Sequence, residues 1–242
     1  MERIDDLQCQ GFRIIQDPDG FCFGIDAVLL AHFSLEAADT AAEIVDLCTG
    51  NGIIPLLLAA KTQAEHITGI EIQKYAAEMA VRSVQLNHIE DRVTVLCEDL
   101  RNIRDLGMDS KVNVVTVNPP YINAGLRNDQ DAKLIARHEV MCTLEDVVSA
   151  AGRILKSNGH FIMVHRPARL PEIFAVMRKY KLEPKRMRLV YPYADKNANL
   201  VLIDAIKGGN PQLNVEPPLI IYREKNIFSD EITRIYAVNS EK

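Results

Sequence analysis

The chain has 242 residues, 48% of them hydrophobic and 25% charged, with a formal net charge of −5. That balance describes a globular chain able to bury a sizeable core, and it excludes a protein that coats nucleic acid unselectively. No apolar run reaches the roughly 18 residues a membrane helix needs. The N-terminus has neither a basic nor an apolar leader region, so no signal peptide is expected.

The first 40 residues precede any strong strand signal. Glu43 to Cys48 then reads as a core strand, and Thr49-Gly50-Asn51-Gly52 as a turn. Ile53 to Lys61 follows as a buried helix, with Pro55 tolerable only in its first turn. His66–Ile72 is a second strand and Gln73–Asn87 a helix, carrying Ala77, Ala80, Val81 and Val84 on one face. Arg92–Cys97 and Val112–Val117 are the third and fourth strands.

Residues 119–142 form a long polar connection, a length that in compact domains is usually functional or disordered. Thr143 to Asp146 is a helix-capping signal opening a helix with Leu144, Val147, Val148, Ala151 and Leu155 on one face. Gly159–His165 reads as a fifth strand and Arg169–Tyr180 as a helix. Strands near 185–191 and 200–206 are joined by a short connection, so they are expected to pair antiparallel. The alternation predicts an α/β fold with a mostly parallel seven-stranded sheet, helices on both faces and an antiparallel last strand. A single domain is expected: an N-terminal segment (1–40), a catalytic core (41–207) and a tail (208–242) after the break at Gly208–Pro211. That tail either packs on the sheet edge or stays mobile.

The five cysteines are odd in number and scattered, without a C-x-x-C pair, and no His lies at a ligand spacing. Neither a disulfide framework nor a metal site is expected, and a reducing cytoplasm fits.

Two motifs carry the chemistry. Asn118-Pro119-Pro120-Tyr121 ends the fourth strand. Proline lacks an N–H to donate, so the strand stops there. An Asn, a rigid backbone and a ring are then presented at a strand's carboxyl end, where open α/β sheets bind ligands. Asn118 offers a side-chain carbonyl, Pro119 a main-chain carbonyl and Tyr121 a face, a set able to grip a planar group bearing an NH₂.

The second motif is Asp46 to Gly52, which follows a strand and opens a helix. Gly50 and Gly52 permit a tight turn and close approach to a ligand. Glu71 ends the next strand, where a carboxylate can accept ribose hydroxyls. Glu98-Asp99 ends the third strand, placed to receive an adenine amine. A dinucleotide needs G-x-G-x-x-G, but Pro55 stands three beyond Gly52. Carboxylates at Asp46 and Glu71 suit a cationic cofactor without phosphates, and S-adenosylmethionine (SAM) fits.

These segments resemble the class I SAM-dependent methyltransferases with an NPPY signature, of Rossmann-like fold. More narrowly, the chain resembles the bacterial tRNA1(Val) N6-adenine methyltransferase-like family over about residues 10 to 205. That match is carried by Phe23 to Leu30, Asp46 to Gly52, Asn118 to Tyr121, Ala136-Arg137-His138-Glu139 and Val164 to Pro167. The resemblance implies that Asp46, Gly50, Gly52, Glu71, Asp99 and Asn118 contact SAM. It also implies that Phe23 to Asp26 folds over the methionine end. Cys48 departs from the class, where many relatives carry a glycine.

In that reading Asn118 and Pro119 accept the two N–H bonds of an adenine amine, Pro120 stiffens the backbone and Tyr121 stacks on the base. Arg127, Arg137, Arg166 and Arg169 are candidates to hold RNA phosphates around a flipped base. The Arg137–Glu139 stretch alternatively orders its own loop by an ion pair. The expected partner is RNA, most simply tRNA, with no membrane and no metal, and the protein a monomer or homodimer. Three alternatives stay open at this point. They are a glutamine N5-methyltransferase of a release factor, a non-catalytic RNA-binding protein on this fold, and a dehydrogenase.

Overall fold

The computed structural model describes residues 1–20, 22–120 and 142–237. Tyr121, Arg127, Arg137 and the rest of the Ala136–Glu139 stretch lie outside the described residues.

An N-terminal hairpin, β1 (Arg3–Asp6) and β2 (Arg13–Gln16), precedes helix α1 (Ile25–Ala38). The core follows as β3 (Glu43–Leu47), α2 (Ile53–Lys61), β4 (His66–Glu71), α3 (Lys74–Leu86), β5 (Val93–Cys97) and β6 (Val112–Val117). A 3-10 turn spans Leu100–Leu106 between β5 and β6. Next come α4 (Leu144–Ile154), β7 (Leu155–His165), α5 (Leu170–Lys179), β8 (Leu182–Tyr191) and β9 (Leu200–Lys207). Four short strands, β10 (Asn214–Val215), β11 (Leu219–Ile220), β12 (Tyr222–Glu224) and β13 (Ile227–Phe228), lead to α6 (Asp230–Ala237).

The main sheet runs β5-β4-β3-β6-β7-β9-β8. All neighbours from β5 to β7 are parallel, and β9 runs antiparallel to both β7 and β8. The expected antiparallel last strand is therefore present as β9, inserted between β7 and β8. Those seven strands are the expected ones, and among the described residues two short strands, β10 and β11, add to them in parallel with β8. Each is two residues long, too short to leave an alternating pattern in the sequence.

Successive side chains of a strand face opposite sides, and the register aligns them into two cores. On one face Ile44, Val114 and Ile162 pack against α1 and α2, with Ile232 and Ile235 of α6 in the same cluster. On the other, Val45, Val115 and Phe161, aligned across three strands, pack against α4 and α5. Burial on both faces is what a parallel sheet demands, and β3 and β6 answer it with runs of β-branched residues. Thr143 caps α4 with a reciprocal bond pair to Asp146, as the sequence predicts.

β7 begins at Leu155, not at Gly159 as the sequence suggested. Asn158 has a positive φ of 63° and the pairing with β6 shifts register between Val112 and Val114. The chain passes through a kink that reads as a turn in sequence. No described helix is long and apolar enough to cross a membrane.

Candidate active site

Every parallel strand from β3 to β6 delivers its carboxyl end to one edge, and a cavity of about 420 Å³ opens there. β3 ends at Leu47, and the chain then makes a left-handed turn. Cys48 has φ 58°, Gly50 φ 59° and Gly52 φ 84°. That conformation costs a non-glycine residue roughly 1–2 kcal/mol. Cys48 carries that cost, which a glycine at the same position would not. A Cβ on Gly52 would also meet Ala80 Cβ of α3 at 3.0 Å. The turn thus brings the N-terminus of α2 close against the cavity.

Glu71, at the end of β4, is buried and lines the cavity. Its Oε2 accepts from Gly50 N and its Oε1 from Gln73 N, both at 2.9 Å. These bonds lock the carboxylate in place and tie it to the glycine turn. Each oxygen retains a second lone pair for a ligand hydroxyl. Asp99 also lines the cavity and accepts from Arg101 Nε at 2.9 Å. The Arg101 guanidinium holds the Asp99 carboxyl below the usual carboxylate range.

Asn118 follows β6. Its Nδ2 donates to Asp26 Oδ2 at 3.0 Å, across 92 positions of sequence. Asp26 sits in the first turn of α1, where its Oδ1 accepts from Ala27 N at 3.0 Å. The amino end of the Asn118 amide is therefore committed to Asp26. Its carbonyl end is the acceptor an incoming NH₂ group asks for. A Cβ on Gly24 would fall 2.6 Å from Asp26 Oδ1, so the bare backbone there leaves room for the carboxylate. Phe23 N is held by Gln16 Oε1 at 3.1 Å, fixing the approach to α1 from the N-terminal hairpin.

Phe23, Asp26, Gly50, Glu71, Asp99, Asn118, Pro119 and Pro120 thus all line one cavity. Asp46 and Gly52 do not. Asp46 is fully buried beneath the turn, in register with Thr116, whose Oγ1 donates to its Oδ1 at 2.7 Å. Its Oδ2 makes no hydrogen bond. Burial pushes its pKa up to about 7, against the pull of the Thr116 bond and of the Thr49 hydroxyl, which lies near but outside hydrogen-bonding geometry. Asp46 therefore supports the cavity from below, a carboxylate whose ionisation a nearby cation would favour.

Arg166 and Arg169 follow β7 on the same sheet edge, outside the cavity lining. Arg166 NH1 donates to Asn199 O at 3.0 Å, bracing the connection between β8 and β9. Arg169 pairs with Glu172 at 2.6 Å. Sequence reasoning missed Cys22, Gln73 and Cys142 as cavity residues. Cys142 lies 94 positions from Cys48 and no local pattern joins them, yet their Sγ atoms are 3.8 Å apart.

The cavity's charge is one-sided. Asp26, Glu71, Glu98 and Asp99 line it, and no Lys or Arg does among the described residues. A diphosphate would meet four carboxylates with no lysine or arginine of the lining to offset them, whereas a phosphate-free cation would be matched.

This sheet order with one antiparallel strand inside it, and a cavity at its carboxyl edge, is the architecture of Rossmann-like methyltransferases. The chain belongs to the methyltransferase small domain family, whose model matches residues 24–180. A tRNA1(Val) (adenine(37)-N6)-methyltransferase of Aeromonas hydrophila is 27% identical over 236 residues, covering 97% of each chain. One of the same description from Bacteroides fragilis is 26% identical, covering 95% of this chain and 94% of its own. Among solved structures, a predicted O-methyltransferase of Agrobacterium tumefaciens is 29% identical with a TM-score of 0.71. It covers 87% of this chain and 95% of that one.

Proposed function

We propose that this methyltransferase transfers a methyl group from SAM to the exocyclic N6 of adenine in tRNA. Adenine 37 of tRNA1(Val), the target named for its relatives, is the specific substrate we infer. The observation that carries the reading is the Asn118 amide, oriented by Asp26 at the mouth of an acidic, phosphate-averse cavity.

The residues fit the cofactor. Asp46, buried with an unsatisfied Oδ2, and the four lining carboxylates suit a sulfonium and an ammonium group. Glu71, fixed by two backbone bonds, suits a ribose diol. When bound, SAM supplies a methyl group on a cationic sulfur that leaves as a neutral thioether.

An aromatic amine attacks poorly because its lone pair is delocalised into the ring. Asn118 Oδ1 and the Pro119 carbonyl accept its two N–H bonds and draw the nitrogen toward a tetrahedral geometry, localising that pair. Asp26 holds the amide so that its carbonyl end, not its amino end, meets the amine. Pro119 and Pro120 give the carbonyl a stiff backbone, so little reorganisation accompanies the reaction. Tyr121 is the residue assigned to stack on the base. A base within an RNA loop must be splayed out to reach such a recess. Arg166 and Arg169, together with Arg127 and Arg137 in the segment after β6, are the residues assigned to phosphates flanking it. Residues 1–40 serve as the cofactor-covering segment and 41–207 as the catalytic core of one domain. Action on tRNA supports a cytoplasmic location for the enzyme.

The test uses methyl-labelled SAM with total tRNA from a host lacking the gene, and with release factors and DNA in parallel. Label in N6-methyladenosine is the expected result. Label confined to protein glutamine would move the enzyme to another substrate, and bound SAM with no transfer to anything would reduce it to a binding protein.

A further inference from the structure

We propose that Cys48 and Cys142 are an oxidation site: a hydroperoxide joins them in a disulfide that disables the cofactor cavity. Their Sγ atoms already lie 3.8 Å apart, and both residues line the cavity. Each is held by structured neighbours. Cys48 follows β3 and opens the glycine turn, while Cys142 directly precedes the Thr143 capping box of α4. The two thiols share one hydrogen bond, which pulls the Cys142 pKa down and, with burial, pushes that of Cys48 up. Cys142 is therefore the attacking sulfur and Cys48 the resolving one.

The Cys142 thiolate attacks the peroxide oxygen, and the O–O bond breaks to release an alcohol, or water from hydrogen peroxide, once a proton is taken up. The sulfenic acid so formed is attacked by the Cys48 sulfur. The S–S bond forms as hydroxide leaves with the Cys48 proton as water. Two electrons pass from the sulfurs to the peroxide.

A disulfide sulfur pair sits about 2.05 Å apart, so the gap must close by about 1.8 Å. Cys48 is joined through Thr49 to Gly50, whose N–H holds Glu71 Oε2 at 2.9 Å. Moving Cys48 displaces the turn against the carboxylate that receives the ribose. Displacements of about 1 Å at such sites cost roughly a hundredfold in rate. The effect on cofactor binding rests on the reading of the cavity given above, whereas formation of the disulfide does not.

The full chain is treated with hydrogen peroxide, its remaining thiols are alkylated, and its peptides are mapped by mass spectrometry. Binding of S-adenosylhomocysteine is measured by calorimetry before and after. A Cys48–Cys142 cross-linked peptide is expected, with affinity reduced at least about tenfold and restored by dithiothreitol. In Cys142→Ser, peroxide is expected to leave that variant's own affinity unchanged. The proposal is overturned if both cysteines are recovered as separate alkylated or over-oxidised peptides. It is equally overturned if the cross-link forms without a change in affinity. A cross-link in a protein whose reduced form binds no S-adenosylhomocysteine would support the oxidation site and overturn the reading of the cavity.

Discussion

Replacing Asp26 with alanine isolates the contact on which the catalytic reading depends. The carboxylate accepts from Asn118 Nδ2 at 3.0 Å in a part-buried setting. A hydrogen bond to a charged group is worth about 1.5–3 kcal/mol. If its whole loss falls on amide orientation in the transition state, kcat drops about 10–150-fold. Asp26→Asn retains an acceptor of similar size but loses the charge, so its kcat should fall between alanine and wild type. Asp26 also lines the cavity, so cofactor affinity must be measured separately, by calorimetry with S-adenosylhomocysteine. The account predicts that kcat at saturating SAM carries most of the loss and Kd little of it. A variant with weakened Kd but wild-type kcat would show that Asp26 holds the cofactor and does not orient Asn118.

Asn118→Ala should abolish transfer, by more than about a thousandfold, while cofactor affinity stays within about threefold of wild type. Rapid-quench assays beside calorimetry separate the two, and equal loss of both would contradict the assigned role. Asp46 yields a pH prediction. Its pKa is raised from 3.8 unfolded to about 7 folded. The native state then binds the extra proton, so this residue's contribution to stability is full below pH 4 and is lost as pH rises toward 7. That swing amounts to about 4 kcal/mol. Asp46→Asn keeps an acceptor for Thr116 and removes the titration. Denaturant melts should therefore show the variant gaining on wild type from pH 4 to 7, and parallel profiles would refute the assignment.

Much of this architecture is legible in sequence because local chemistry sets it. Pro119 and Pro120 end β6 for lack of N–H donors, Thr143 and Asp146 announce α4, and Pro55 fits only the first turn of α2. Glu71 and Asp99 are found because a parallel sheet delivers its strand ends to one edge. What escaped reading lacks a local signature. The Asp26–Asn118 bond and the Cys48–Cys142 contact each join residues more than 90 positions apart. Asp46 shares its motif with Gly50, yet its side chain turns beneath the cavity toward Thr116, a consequence of pairing between β3 and β6 that the motif alone does not carry. Of the two readings open for the tail, packing on the sheet edge is the one observed up to residue 237, because β10 and β11 pair with β8; its helix leaves little signal. Ile232 and Ile235 are buried in the core shared with α1, although their helix is eight residues long and follows four strands of two or three.

The most direct test is nucleoside mass spectrometry of purified tRNA1(Val). The tRNA would come from a host lacking the gene, complemented with either the wild-type chain or Asn118→Ala. The account predicts N6-methyladenosine at position 37 with the wild type only. Its presence in the uncomplemented host, or its return with Asn118→Ala, would contradict the central claim.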